Sequence, residues 1–147
     1  MLQELTTVRG ENLTGTPWTV YPRPQMKRDS YLNLNGWWDF AVSEKDRIPE
    51  AFARKIRVPF CPESRLSGVD VHFPEGSFLF YRRALELPDG FCRGRVLLHI
   101  GAADQVADVF VNGKAVCHHE GGYDAFSCDI TDALGEKNEL VNNNTDD

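Results

Sequence analysis

The run Ala107–Cys117, ADVFVNGKAVC, constrains the fold of this chain more than any other. Asn112-Gly113 lies between two arms of alternating apolar residues. A two-residue type I′ turn needs positive φ at both central positions, which Asn and Gly tolerate best, so a β-hairpin is predicted here. Its neighbours carry the same period of two. FLFYRRALEL, from Phe78 to Leu87, places Leu79, Tyr81, Arg83, Leu85 and Leu87 on one face and Phe78, Phe80, Arg82, Ala84 and Glu86 on the other. One arginine must then point to the apolar side and find a partner, with Asp104 or Asp108 the candidate acids for an arginine ion pair. RVLLHIGAADQ sets Val96, Leu98 and Ile100 against Leu97 and His99, and His99 is expected to be a core histidine. Phe126, Cys128 and Ile130 form a further alternating run.

The earlier part of the chain is less regular. Pro22 and Pro24 forbid a regular helix, so residues 1–20 and the prolines after them are expected to form an extended strap. YLNLNGWWDFAVS suggests two short strands about a turn at Gly36, and AFARKIRVPF suggests one more before Pro59 and Pro62 stop the ladder. DITDALGEKNEL suggests a strand end, one helical turn begun by Asp129 or Asp132 and closed by Gly135, and a short strand at Leu140-Val141. Many short strands and almost no helix predict an all-β sandwich in one compact unit.

With 147 residues, 41% hydrophobic and 26% charged, the composition is that of a globular domain able to bury its own core. No apolar run approaches the ~20 residues of a membrane helix, and the N-terminus lacks the apolar stretch of a secretory signal. A net charge of −6 disfavours nucleic acid and anionic lipid as partners. Cys61, Cys92, Cys117 and Cys128 contain no C-x-x-C pair and are unevenly spaced, so four free thiols and a cytoplasmic location are expected. Asn12-Leu13-Thr14 matches a glycosylation acceptor, but means little without a secretion signal.

VCHHEGGYDAFSCDIT, residues 116–131, holds residue types that bind metals. His118 and His119 are adjacent, however, and adjacent strand residues point to opposite faces, so they cannot easily ligate one ion. A bend permitted by Gly121-Gly122 is the better reading, with no metal and no cofactor. Of Trp37 and Trp38 one must face inward, leaving at most one as a sugar-stacking platform.

PRPQ…LNGWWDF, VPFCPES…LSG, FYRR, LLHIGAADQVADVFVNGKAV and HEGGYDAF…DIT, in this order, resemble the N-terminal sugar-binding domain of family 2 glycoside hydrolases, the β-galactosidase and β-glucuronidase group. The resemblance runs from about Tyr21 to Val141. It implies a jelly-roll-like β-sandwich, galactose-binding-domain-like, over residues 1–141, with 142–147 a tail or a truncated final strand. It also implies an immunoglobulin-like domain and a TIM barrel downstream as partners, and a β-galactoside or β-glucuronide as the carbohydrate substrate of the complete enzyme. The catalytic glutamates of such enzymes lie in the barrel, so no catalytic residue is assigned here and this segment alone is expected to be inactive. At NNNTDD the sequence departs from the family pattern, which predicts an uncovered sheet edge. The loop LSGVDVHFPEGS supplies the substrate-rim candidates Asp70, His72 and Glu75, because the resembling enzymes send a sandwich loop toward the barrel mouth. A solvated loop is the plainer reading of those residues. A free-standing carbohydrate-binding module is the alternative function, since fold does not determine function.

Overall fold

The structure, a computed structural model, describes residues 7–20, 24–26 and 28–145. The chain separates into two compact units where the sequence suggests one. The first is built from the described residues up to Trp38 with Lys55–His72, the second from Asp39–Arg54 with the described residues from Phe73 onward.

In the first unit the strap is not extended throughout. Val8–Glu11 forms a single helical turn, α1, because Thr7 caps it, its Oγ1 accepting from the Gly10 amide at 3.1 Å. Pro24–Met26 forms a 3₁₀ turn, and Tyr21 and Pro22 lie outside the described residues. Tyr31–Asn35 is not a strand: Asn33 Oδ1 accepts from the Asn35 amide at 2.8 Å, a local Asx bond that competes with a ladder. The one strand here, β1, runs Gly36–Ser43, and β2 runs Arg54–Val58. Trp38 is the inward member of its pair, its indole N–H donating to the Leu34 carbonyl at 2.8 Å, while Trp37 is 47% exposed.

The remaining strands are β3 (Phe78–Ala84), β4 (Leu97–Ile100), β5 (Val106–Val111), β6 (Lys114–Glu120), β7 (Phe126–Asp129) and β8 (Glu139–Thr145). A six-stranded sheet has the order β2-β1-β3-β8-β5-β6, and β4 pairs with β7 in a second, two-stranded sheet. The pairs β1–β3, β3–β8, β5–β8, β5–β6 and β4–β7 are all antiparallel. The fold is thus an all-β, sandwich-like one with almost no helix.

Of the two expectations for residues 142–147, a tail or a truncated final strand, the described residues 142–145 are strand, and that strand, β8, does not lie at a sheet edge. It continues past Val141 to Thr145 and lies between β3 and β5, in the middle of the sheet. The side-chain NH2 groups of two of its asparagines find partners: Asn142 donates to Asn144 Oδ1 at 2.8 Å, and Asn143, 3% exposed, donates to Asp46 at 2.8 Å, while Oδ1 of both Asn142 and Asn143 is buried without one among the described residues.

Both faces of this sheet bury apolar residues. Ala107, Val109, Val111 and Leu140 share one face in register, and the second sheet contributes buried Leu98, Cys128 and nearby Val96 and Ile130. On the other face Ala41, Phe80 and Val141 form a small core with Phe78 and Phe110, and with Ile48 and Phe52 from the β1–β2 connection. Arg82 closes its border. It pairs with Asp39 at 3.2 Å, reaches Glu139 at 3.9 Å, and holds its guanidinium 4.0 Å from the Phe52 ring centroid. The ion pair is therefore with Asp39 and Glu139, not with Asp104 or Asp108, because the antiparallel register sets Asp39 directly opposite Arg82.

Two further expectations fail. His99 is not a core residue: it faces outward from β4, and its Nδ1 lies 2.6 Å from Ser127 Oγ, its cross-strand neighbour. Cys61 and Cys92 are free, but Cys117 and Cys128 are joined in a disulfide, their α carbons 5.8 Å apart. Uneven spacing in sequence does not bear on such a pair; what matters is that β6 and β7 bring the two residues side by side.

Candidate functional loops

The predicted hairpin forms as expected, with φ of 53° at Asn112 and 76° at Gly113. Asn112 also fastens the turn to β8. Its Nδ2 donates to the Ala133 carbonyl and to Asn138 Oδ1, and its Oδ1 accepts from the Glu139 amide, each at 2.9 Å.

Between Val109 and Phe110 the β5–β6 register shifts: Phe110 faces Ala115, yet Val109 faces Cys117, leaving Val116 as the extra residue of a bulge. Every residue after the bulge changes face. Cys117 and His119 thereby share the face of Val109 and Ala107, where Cys117 meets Cys128 and the His119 ring stacks on Phe126 at 4.2 Å. His118 and Glu120 face the other way. His118 Nδ1 lies 2.8 Å from Asp108 and Nε2 lies 3.4 Å from Glu120, and these carboxylate hydrogen bonds, Asp108 first, raise its pKa above the ordinary imidazole value. The two histidines do point to opposite faces. The Asp108–His118 pair escapes a sequence reading, because without the bulge Asp108 would face Cys117.

The rim-loop candidates are all exposed. Ser67, fully buried, donates to the Pro62 carbonyl at 3.2 Å and accepts from the Val69 amide at 3.0 Å, and the Val71 amide returns to Pro62 at 3.2 Å. This clamp presents Asp70, whose φ is 53°, and His72 on the surface of the first unit, with no hydrogen bond between them. Glu75 belongs to the second unit, in the Pro74–Ser77 turn. Trp37, the possible platform, is covered by the Arg57 guanidinium 4.6 Å from its ring centroid, and Gly68 fits against its edge, where a Cβ would come within 3.0 Å.

A sandwich-like all-β chain with polar loops on buried strands is the class of protein that the fold defines. More particularly, the chain is a relative of the family 2 glycoside hydrolases of β-glucuronidase type. It is 31% identical over 120 residues to β-glucuronidase of Bacteroides fragilis, covering 78% of this chain and 16% of the relative. It is 30% identical over 135 residues to β-glucuronidase of Homo sapiens, covering 78% of this chain and 20% of that one. Among solved structures, Faecalibacterium prausnitzii β-glucuronidase superposes with a TM-score of 0.59 at 29% identity, over 78% of this chain and 20% of its own. No family model matches the sequence. The chain thus spans about a fifth or less of the length of the curated relatives it matches. Among the described residues no helix is long and apolar enough to cross a membrane.

Proposed function

We propose that this chain is the non-catalytic N-terminal sugar-binding domain, jelly-roll in type, of a retaining β-glycosidase. Its task is to buttress a catalytic barrel and lend the Leu66–Ser77 loop, with Asp70, His72 and Glu75, to the substrate rim. A β-glucuronide is favoured over a β-galactoside because the relatives reported above, matched across more than three quarters of this chain, are β-glucuronidases. The observation that carries the reading is the pairing of that broad match with a span of only 16–20% of each relative.

Four carboxylates on or beside the sheets support it. Asp39 is engaged by Arg82, Asp46 by Asn143 and Asp108 by His118. Asp129 accepts from the Thr131 hydroxyl and amide and pairs with Arg95, contacts that hold its carboxyl below the ordinary value. Retaining hydrolysis needs two carboxyl groups about 5–5.5 Å apart, one free to donate a proton and one free to attack. Carboxylates held by structural partners suit neither task.

The deciding experiment is twofold: determine whether the reading frame continues into a barrel, and incubate the purified chain with chromogenic β-glucuronides and β-galactosides. Continuation into a barrel, with no turnover by the chain alone, is expected. Turnover that survives repurification would overturn the reading, and a frame ending near Asp147 would favour the free-standing binding module. The cytoplasmic location is weakened by the Cys117–Cys128 bridge, since cytosolic thiols are kept reduced.

A further inference from the structure

Tyr123 is 99% exposed, the most open large side chain of its kind among the described residues. The loop that carries it is nevertheless firmly built. Its base is closed by the Cys117–Cys128 bridge and by the His119–Phe126 stack, whose planes lie within 16° of parallel. On one side the Gly121 amide donates to the Gln105 carbonyl at 2.8 Å. Beside it Asp104 packs directly on Gly122, so closely that a Cβ at that position would overlap the carboxylate and approach the Asp104 α carbon to 3.3 Å. A side chain there would have to displace the Asp104 carboxylate, and Gly121 holds a φ of 127° that other residues avoid.

A phenol ring presented by a pre-ordered loop loses little entropy on docking, and tyrosine is among the side chains that dominate interface energies. The chemistry around it selects the partner. Asp104 lies against Gly122, the Asp124 carboxylate lies near Gly121, Glu120 precedes the loop in sequence, and the second unit as a whole has nine Lys and Arg against seventeen Asp and Glu. These carboxylates oppose a carboxylate-bearing sugar and favour a surface that offers an apolar socket rimmed by Lys or Arg.

We infer that the Gly121–Asp124 loop is a docking finger, with Tyr123 inserted into a basic-rimmed apolar socket of the domains that follow in the longer polypeptide. The inference rests on the proposed reading as a domain of a larger glycosidase. The space for such a partner is given by the relatives, of which this chain matches only 16–20%.

Hydroxyl-radical footprinting of the longer polypeptide and of the 147-residue chain tests it. Oxidation of Tyr123 is expected to be slower by about tenfold or more in the longer polypeptide, as for a side chain released only by local opening. Tyr123→Ala should lower the Tm of the longer polypeptide and leave that of the 147-residue chain unchanged, while Tyr123→Phe should retain most of the wild-type behaviour. Equal oxidation in an active longer glycosidase would overturn the inference and leave the proposed function standing. Protection that arises only on adding a glycoside would overturn it in favour of a carbohydrate contact. A reading frame that ends near Asp147 would overturn both.

Discussion

Replacing Asn112 should cost more than a turn residue ordinarily does, because this side chain performs two separate jobs. It accepts a left-handed backbone, with φ of 53°, and it makes three hydrogen bonds of 2.9 Å that tie the β5–β6 turn to the start of β8. Alanine loses both. The bonds lie at an exposed site, so each contributes roughly 0.5–1 kcal/mol net, or about 2 kcal/mol together. Alanine lacks the short polar side chain by which asparagine eases a left-handed backbone, which adds about 1 kcal/mol. Asn112→Ala should therefore destabilise the chain by about 3 kcal/mol, which at this size lowers Tm by roughly 6–12 °C. Asn112→Asp keeps the acceptor for Glu139 and tolerates the backbone, losing only the two donated bonds, so about 1–2 kcal/mol is expected. Urea denaturation with an unchanged m-value measures both. An Ala variant within about 0.5 kcal/mol of wild type, or an Asp variant as costly as Ala, would refute the division into backbone and hydrogen-bond contributions.

Removing the bridge by Cys117→Ala with Cys128→Ala, which opens a loop with a sequence separation of 11, should cost roughly 2–3 kcal/mol; reductant should lower wild-type stability alike and leave the double variant unmoved. The raised pKa of His118 means that the protonated ring is bound more firmly in the folded state. Its stabilisation is complete below the ordinary value of 6.5 and is lost as pH rises through the higher folded value, so His118→Ala should flatten the pH dependence of Tm across that window. In the complete glycosidase, Asp70→Ala and His72→Ala should each lower kcat/KM; changes below roughly twofold in both, about 0.4 kcal/mol, would eliminate the Leu66–Ser77 loop as a substrate contact.

What the sequence alone determined was local. The Asn112-Gly113 turn, the alternation in β4, β5 and β7, and the inward turn of one tryptophan follow from φ preferences and from the period of two, which need no knowledge of distant residues. The family resemblance rests on the same short segments. Tertiary structure decided the rest. Asn142–Asn144 looks like a tail because asparagine is a poor strand former, and it becomes part of the central strand because β3 and β5 pair with it on both sides, the NH2 groups of Asn142 and Asn143 donating to Asn144 and Asp46. Arg82 found Asp39 through the β1–β3 register, a pairing across 43 positions of sequence. The clearest case is Val116. One extra residue in β6 rotates Cys117 and His119 onto the face of Val109, and so creates the disulfide, the His119–Phe126 stack and the Asp108–His118 pair together. A bulge leaves no mark in the alternation of a short, mixed strand such as KAVCHHE, because its position is chosen by the partner strand and by the twist of the sheet rather than by the residues beside it.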